Sequence, residues 1–239
     1  MSELGTAVVT GAGQGIGRAV AARLLADGYE VLAVDVNADQ VARTAADLGC
    51  RGAAIDVTND EQVAGLADLA PECTALVNNA AIQRYRDLLH TTHDEMRLVL
   101  DVNVIAPVLA AQALVPVMSR NGGGSIVNLS SITSKAAINQ LTQAMALEFG
   151  SHGVRCNAVG PGTVLTEGTE EHYGPPEAQA LIAGCLPIAR MGMPDDIANA
   201  ISWFCSPEAS WVTGQVLFVD GGYTSSHGQF FRWARKAPK

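Results

Sequence analysis

Short apolar runs rich in β-branched residues alternate along the chain with longer segments whose apolar positions recur at helical spacing. In the segment 136–149, for example, Ile138, Leu141 and Met145 repeat at intervals of three and four residues and so form one buried stripe. Continuously apolar strands joined by helices are typical of a parallel sheet that is covered on both faces. The strands predicted in this way are Ala7–Thr10, Val31–Val36, Ala53–Val57, Ala75–Asn78, Ser125–Leu129, Val154–Val159 and Val216–Val219.

The predicted fold class is therefore α/β, with a single doubly wound, Rossmann-like parallel sheet and helices on both faces. Two of the predicted helices end at glycines, Arg18–Ala26 before Gly28 and Ala136–Phe149 at Gly150, as helices commonly do. No linker-like stretch interrupts the alternation. We therefore predict one domain over residues 1–239, in which 229–239 form a basic, aromatic tail that packs against a neighbouring subunit.

Composition and charge narrow the class of protein. Hydrophobic residues make up 48% of the 239 and charged residues 16%, which permits a large core and excludes a disordered chain. The net charge of −9 argues against nucleic acid as the partner, because phosphate binding needs a basic face. No apolar run approaches the roughly 20 residues of a membrane span and no signal peptide opens the chain, so we expect neither membrane insertion nor secretion.

The five cysteines are scattered and include no C-x-x-C pair. This usage favours buried free thiols in a reducing cytoplasm over a disulfide framework or a zinc site. A metal interpretation of His90 and His93 is also disfavoured, because Thr92 and Glu95 form a capping box that predicts the start of a helix.

A glycine-rich turn follows the first predicted strand and precedes a helix. The run Thr10-Gly11-Ala12-Gly13-Gln14-Gly15-Ile16-Gly17 fits T-G-x-x-x-G-x-G and not the commoner G-x-G-x-x-G. Such glycines permit a tight turn and let backbone N–H groups approach a pyrophosphate, which the helix N-terminus attracts. A plain strand–helix turn is the alternative interpretation of the same pattern.

Asp35, at the end of the second predicted strand, makes the nucleotide interpretation stronger. A carboxylate about twenty residues after the glycine loop can bond both ribose hydroxyls of NAD and would repel the 2′-phosphate of NADP. Gln14 also stands where an arginine could bind that phosphate. The sequence therefore predicts NAD as the cofactor.

With these motifs the sequence resembles the classical short-chain dehydrogenase/reductase family over nearly its whole length. The other segments that carry the resemblance are Asp56-Val57, Asn78-Asn79-Ala80-Ala81, Asn103, Ser130-Ser131, Ser134-Lys135, Pro161-Gly162-Thr163-Val164 and Val219-Asp220-Gly221-Gly222. The resemblance implies an oxidoreductase that transfers a hydride between NAD(H) and a small alcohol or carbonyl compound. It also implies a homo-oligomer, either a tetramer or a dimer.

The resemblance further assigns site residues. The implied cofactor-binding residues are Gly11, Gln14, Gly15, Ile16, Gly17, Asp35, Asp56, Val57, Asn79, Ala80, Lys135, Pro161, Gly162, Val164 and Thr166. The implied catalytic residues are Asn103, Ser131 and Lys135, and no metal is implied. Thr166 also opens the stretch 166–187, which we predict to be a loop that covers the substrate, although a plain surface loop fits its composition nearly as well.

One member of the family's catalytic set is missing from this sequence. In the family a Tyr in Tyr-x-x-x-Lys exchanges a proton with the substrate oxygen, and the Lys lowers the phenol pKa from about 10. Here the residue four positions before Lys135 is Ser131 itself. Compared with the family spacing, about thirteen residues are absent between Ser131 and Ser134, while the spacing on both sides is intact.

Three explanations of this gap remain open. The sequence as written omits residues that the molecule contains, the protein lacks them, or a different chemistry has replaced the old one. A Ser–Lys hydrolase is disfavoured, because Ile132 occupies the serine position of S-x-x-K. The alternative function is a non-catalytic NAD(H)-binding subunit. A Cα–Cα step well above ~3.8 Å within Ser131–Ser134 would favour the first explanation.

Overall fold

A seven-stranded sheet forms the centre of the molecule in a computed structural model that describes residues 4–82, 88–130 and 136–225. The strand order is β3-β2-β1-β4-β5-β6-β7, and every neighbouring pair is parallel. The strands are β1 Thr6–Thr10, β2 Glu30–Asp35, β3 Arg51–Ala54, β4 Cys73–Asn78, β5 Gly124–Leu129, β6 Val154–Pro161 and β7 Val216–Val219. The predicted fold class is confirmed.

Helices connect the strands. They are α1 Gly15–Ala26, α2 Ala38–Leu48, α3 Asp60–Ala64, α4 Leu66–Leu69, α5 His93–Leu100, α6 Ala106–Arg120, α7 Ala136–Phe149, α8 Glu170–Tyr173, α9 Pro176–Cys185 and α10 Pro194–Cys205. A π-helical segment, Asp101–Ile105, joins α5 to α6, and short 3₁₀ turns lie at Leu88–His90, Gly150–His152 and Pro207–Ala209. The predicted capping box is confirmed, because Thr92 Oγ1 accepts from Glu95 N and the Glu95 side chain accepts from Thr92 N.

Alternate residues of the central strands enter two separate cores. Val9 belongs to the core on one face of the sheet, under α1 and α10, whereas Val8 belongs to the core on the other face, under α6. Both residues are fully buried. This explains why the strands read as continuous apolar runs, since each face needs its own set of side chains.

The third strand and the segment after the sixth differ from the prediction. The segment Ala53–Val57 was expected to be a strand, but β3 ends at Ala54, because Asp56 Oδ1 accepts from Thr58 N and Thr58 Oγ1 and turns the chain. The stretch 166–187 was expected to be a loop but contains α8 and α9. Neither helix has a buried residue, so neither shows apolar periodicity.

The helical run His93–Arg120 differs from the expectation that no apolar run approaches the length of a membrane span. It has 28 residues, and its most apolar stretch has a mean hydropathy of 2.0, so by length and composition alone it could cross a membrane. In this fold the inner face of α6 is buried, with Ala110, Leu114 and Met118 packed in the core under the sheet. The α6 part of the run therefore packs as a core helix, whereas α5 has no buried residue.

The cysteines are free but not all buried. Cys73, Cys156 and Cys205 lie in the core, where burial raises the pKa of each thiol to about 12. Cys50 is only partly buried and Cys185 is exposed at the end of α9, so the expectation of buried thiols is wrong for these two.

Candidate functional site

A cleft of about 940 Å³ lies at the carboxyl ends of the central strands. The strand order reverses between β1 and β4, since β2 follows β1 on one side of the sheet and β4 lies on the other. Open parallel sheets bind their ligands at such a reversal, where the two loops diverge and leave a crevice. The glycine loop after β1 forms one wall of this cleft.

The glycine loop has no room for side chains at its closest contacts. A Cβ on Gly17 would lie 2.1 Å from Gly11 O and 2.4 Å from Asn79 Nδ2. Gly11 has a φ of +65°, and its Cβ would lie 2.8 Å from Ala80 Cα. These glycines therefore allow the chain to fold back on itself and leave bare backbone at the start of α1.

Asn79 holds the glycine loop against the end of β4. Its Nδ2 donates to Thr10 O at 2.8 Å and to Gly11 O at 2.9 Å. Thr10 Oγ1 accepts from the backbone N–H groups of Asn79 and Ala80, both at 3.1 Å. The side chain of Asn79 therefore positions the loop, while Asn79 and Ala80 together line the cleft.

Asp35 lies at the end of β2, beside the glycine loop. Its Oδ2 accepts from Gly13 N at 2.9 Å and its Oδ1 accepts from Asn37 N at 3.0 Å. A Cβ on Gly13 would lie 2.9 Å from the same Oδ2, so the carboxylate needs a glycine there. These two bonds fix the orientation of a carboxylate at the rim of the cleft.

The described side chains that line the cleft around Asp35 include glutamines but no lysine or arginine. Gln14 and Gln40, the polar side chains beside it, bond each other, with Gln40 Nε2 donating to Gln14 Oε1 at 3.1 Å. Among the cleft-lining residues that the structure describes, none is lysine or arginine. Asp56 and Val57 line the same end of the cleft.

Asn103 lies on the π-helical segment and faces the opposite wall. Its Oδ1 accepts from Ile82 N at 2.9 Å, and its Nδ2 donates to Ile82 O at 2.8 Å. The side chain is buried, and both of its polar atoms bond the backbone of the same residue, Ile82. π-Helical insertions often occur at functional sites, because the extra residue re-aims the backbone.

The chain after β6 closes the far end of the cleft, where Pro161, Gly162, Val164 and Thr166 line it. A Cβ on Gly162 would lie 2.7 Å from Asp220 Cα, so this turn needs a glycine. Burial raises the pKa of Asp220, but bonds from Thr224 and Gly222 outweigh that effect and hold the pKa below its usual value. The turn after β7 is therefore tied down by a charged carboxylate.

The cleft brings together all the predicted site residues that the structure describes. These are Gly11, Gln14, Gly15, Ile16, Gly17, Asp35, Asp56, Val57, Asn79, Ala80, Asn103, Pro161, Gly162, Val164 and Thr166. Ser131 and Lys135 lie outside the described residues, as does the backbone step between Ser131 and Ser134. The C-terminal tail 229–239 also lies outside them.

Several cleft residues were missed by the sequence analysis. His172 and Tyr173, whose ring centroids are 5.4 Å apart, line the cleft from α8, and Tyr223 lines it from the turn after β7. Ser130 also lines it and donates from Oγ to Asn139 Oδ1 at 2.6 Å. Only the aromatic pair in an otherwise polar stretch could have signalled the first two residues.

Comparison with known proteins shows which family the chain is similar to. The family model described as enoyl-(acyl carrier protein) reductase matches residues 11–224. A galactitol 2-dehydrogenase (L-tagatose-forming) from Cereibacter sphaeroides is 38% identical, over 91% of this chain and 94% of that protein. A solved structure titled as a short chain dehydrogenase/reductase family protein is 35% identical with a TM-score of 0.85, over 92% of this chain and 97% of that one.

A second solved structure shows a related protein with ligands bound. It is a 7α-hydroxysteroid dehydrogenase complexed with NADH and 7-oxo glycochenodeoxycholic acid. It is 32% identical, with a TM-score of 0.85, over 91% of this chain and 93% of that one. The chain therefore belongs to the short-chain dehydrogenase/reductase family, whose members are oxidoreductases that use a nicotinamide cofactor.

Proposed function

We propose that this protein is an NAD(H)-dependent oxidoreductase that interconverts a small alcohol and its carbonyl compound. The observation that carries the choice of NAD is Asp35, whose carboxylate is fixed at the end of β2 by Gly13 N and Asn37 N. A carboxylate there can accept hydrogen bonds from two ribose hydroxyls, whereas a 2′-phosphate would be repelled and would find no lysine or arginine among the described residues of the cleft.

The residues of the cleft fit a dinucleotide. Gly11 and Gly17 allow the glycine loop to pack closely against the end of β4, which brings loop backbone without side chains beside the first N–H groups of α1, where a pyrophosphate would bind. Asp56 and Val57 would border the adenine, and Val164 and Thr166 would hold the nicotinamide carboxamide. When bound, the cofactor supplies hydride transfer.

The chain's own residues would orient the substrate and exchange its proton. Ser131 would hydrogen-bond the reacting oxygen, Lys135 would supply a positive charge, and Asn103 would help hold a water in the proton relay. An aliphatic hydroxyl is a much weaker acid than a phenol, so Ser131 cannot replace the tyrosine that the sequence lacks at the fourth position before Lys135. We further propose that the protein works as a homo-oligomer in the cytoplasm.

The substitution Asp35→Asn tests the choice of cofactor. The control is Asp39→Asn, which makes the same change at an exposed carboxylate in the first turn of α2. Dissociation constants for NADH and NADPH are measured by fluorescence titration. We expect Asp35→Asn to reduce the preference for NADH about tenfold or more, because hydrogen bonds to a charged group are worth about 1.5–3 kcal/mol. Asp39→Asn should leave the preference unchanged. A wild type that prefers NADPH, or an unchanged preference in Asp35→Asn, would contradict NAD specificity.

The catalytic role is tested separately by turnover. The protein is assayed with NAD and a panel of secondary alcohols and sugar alcohols, and its intact mass is measured. A mass above 24.9 kDa by the weight of about thirteen residues would show that the molecule contains the segment missing between Ser131 and Ser134. Turnover at 24.9 kDa would contradict the proton-transfer scheme above, and NADH binding without turnover would favour a non-catalytic subunit.

A further inference from the structure

Helix α1 lies at the cofactor end of the cleft, and its first N–H groups receive no side-chain acceptor from the residue before the helix. The first residue before α1 is Gln14, whose side chain makes no capping bond, and no acidic residue lies in the first turn. By contrast, Asn37 caps α2 and Asn59 caps α3 from the preceding residue. The N–H groups at the start of α1 therefore need acceptors from elsewhere in the chain or from a ligand.

One such acceptor comes from the segment after β6. Glu167 Oε2 accepts a hydrogen bond from Gly15 N at 3.2 Å, although the two residues are 152 positions apart in sequence. A carboxylate is the favoured partner at this end of a helix, because the helix dipole gives it a partial positive charge. The site that attracts a pyrophosphate thus already holds a negative group.

The neighbours of Glu167 also lie close to the glycine loop. A Cβ on Gly15 would lie 3.4 Å from Thr166 Cβ, and one on Gly168 would lie 3.5 Å from Gln14 Nε2. An added Cβ would thus just reach van der Waals contact at both positions, which places Thr166-Glu167-Gly168 close to the start of α1. The Glu167 bond therefore lies where the segment after β6 comes close to the glycine loop.

We propose that Glu167 is an internal competitor for the pyrophosphate position. This inference rests on the proposed function, because it takes Gly15 N as a pyrophosphate contact. In the cofactor-free protein the Glu167 carboxylate occupies the start of α1, and a bound dinucleotide has to displace it. Each binding event then includes the loss of one charge-assisted bond and the approach of two like charges, which lowers the affinity for the cofactor.

Displacement of Glu167 would also affect side chains on the substrate side of the cleft. Thr169 Oγ1 donates to Val164 O and accepts from Thr166 N, and Glu170 N donates to Thr166 O at the start of α8. His172 and Tyr173, at the end of α8, line the cleft. A movement at Glu167 is therefore linked through a few hydrogen bonds to side chains on the substrate side.

The test compares Glu167→Gln and Glu167→Ala with Glu170→Gln, which removes an exposed carboxylate three residues away. Calorimetry measures the dissociation constants of NADH, ADP-ribose and adenosine. We expect Glu167→Gln to bind NADH and ADP-ribose about two- to fivefold more tightly, the range for one charge at an exposed helix N-terminus. Glu167→Ala, which has no acceptor, should gain at least as much. Adenosine, which lacks the pyrophosphate, should bind all variants equally.

The outcomes separate this inference from the proposed function. Equal or weaker NADH binding in Glu167→Gln, an equal gain for adenosine, or an equal gain in Glu170→Gln would overturn the competitor role while leaving the cofactor assignment intact. Failure of NADH to bind to the wild type and to every variant would contradict the proposed function and, with it, this inference. Thermal unfolding of each variant verifies that it is folded.

Discussion

Gly17 shows how strictly single residues determine the cofactor end of the cleft. Its Cβ position is 2.1 Å from a backbone oxygen, and a backbone atom cannot move aside as the end of a flexible side chain can. The sequence pattern located this glycine, because a strand, a T-G-x-x-x-G-x-G run and a helix follow one another without interruption. The hydrogen bonds from Asn79 that hold the loop could not be foreseen, since they join residues 69 and 68 positions apart.

Gly17→Ala should therefore weaken cofactor binding in a protein that still folds. We expect at least a tenfold loss of NADH affinity and a destabilisation of about 1–3 kcal/mol, the usual cost of overpacking. The matched control is Gly184→Ala on exposed α9, where a Cβ would meet nothing within 4 Å. Fluorescence titration and urea unfolding measure the two effects. Unchanged affinity in Gly17→Ala would show that the glycine loop does not contact the cofactor.

Individual residues on the substrate side of the cleft were harder to predict from the sequence. Asp35 could be identified because its chemistry and its place at a strand end agree. His172 and Tyr173 lie on a helix without buried residues, so no periodic signal marked them as part of the site. Glu167 lies in the stretch 166–187, which was predicted to cover the substrate, but its bond to Gly15 could not be predicted, because the two residues are 152 positions apart.

Strands with a buried face were predicted well, whereas one exposed edge strand and two exposed helices were not. The strands β1, β2 and β4 to β6 were located to within a few residues, because their apolar side chains fill two cores. The strand β7 was located by its apolar run, although none of its residues is buried. β3 is an edge strand held by backbone bonds to β2 and begins at Arg51, a residue that no apolar pattern would select. The exposed helices α8 and α9 were missed for the same physical reason.

The turn after β7 makes a prediction at the scale of an element. Because the pKa of Asp220 is held below its usual value, its bonds stabilise the fold above the unfolded-state pKa of about 3.9. That contribution is lost as the pH falls through the lower pKa of the folded state.

Asp220→Asn is therefore expected to lower the free energy of unfolding most at pH 6–8, and the difference from wild type should shrink below about pH 4. Thr224→Val, which removes the Oγ1 donor, should move the acid midpoint of unfolding to higher pH. Urea unfolding between pH 3 and pH 8 measures both effects. A difference for Asp220→Asn that is constant with pH would show that this carboxylate is not stabilised by its charge.

At the scale of the whole molecule, the sheet topology explains why residues from distant parts of the sequence meet in one cleft. Parallel strands end at the same edge, so the loops after β1, β2, β4 and β6 come together there. Hydrogen bonds from Asn79 and to Asp35 then hold the glycine loop in place. This arrangement follows from the alternation of strands and helices. The glycine loop and Asp35 were predicted from the sequence pattern and most of the other site residues from the family resemblance, and the topology explains why they line one cleft.

The most direct measurement is a crystal structure of the protein grown with NADH. We expect the pyrophosphate at the N–H groups that open α1, Gly15 to Gly17, with the adenosine ribose hydroxyls on Asp35 and the nicotinamide near Val164. A dinucleotide bound outside this cleft, or one whose ribose makes no contact with Asp35, would contradict the account.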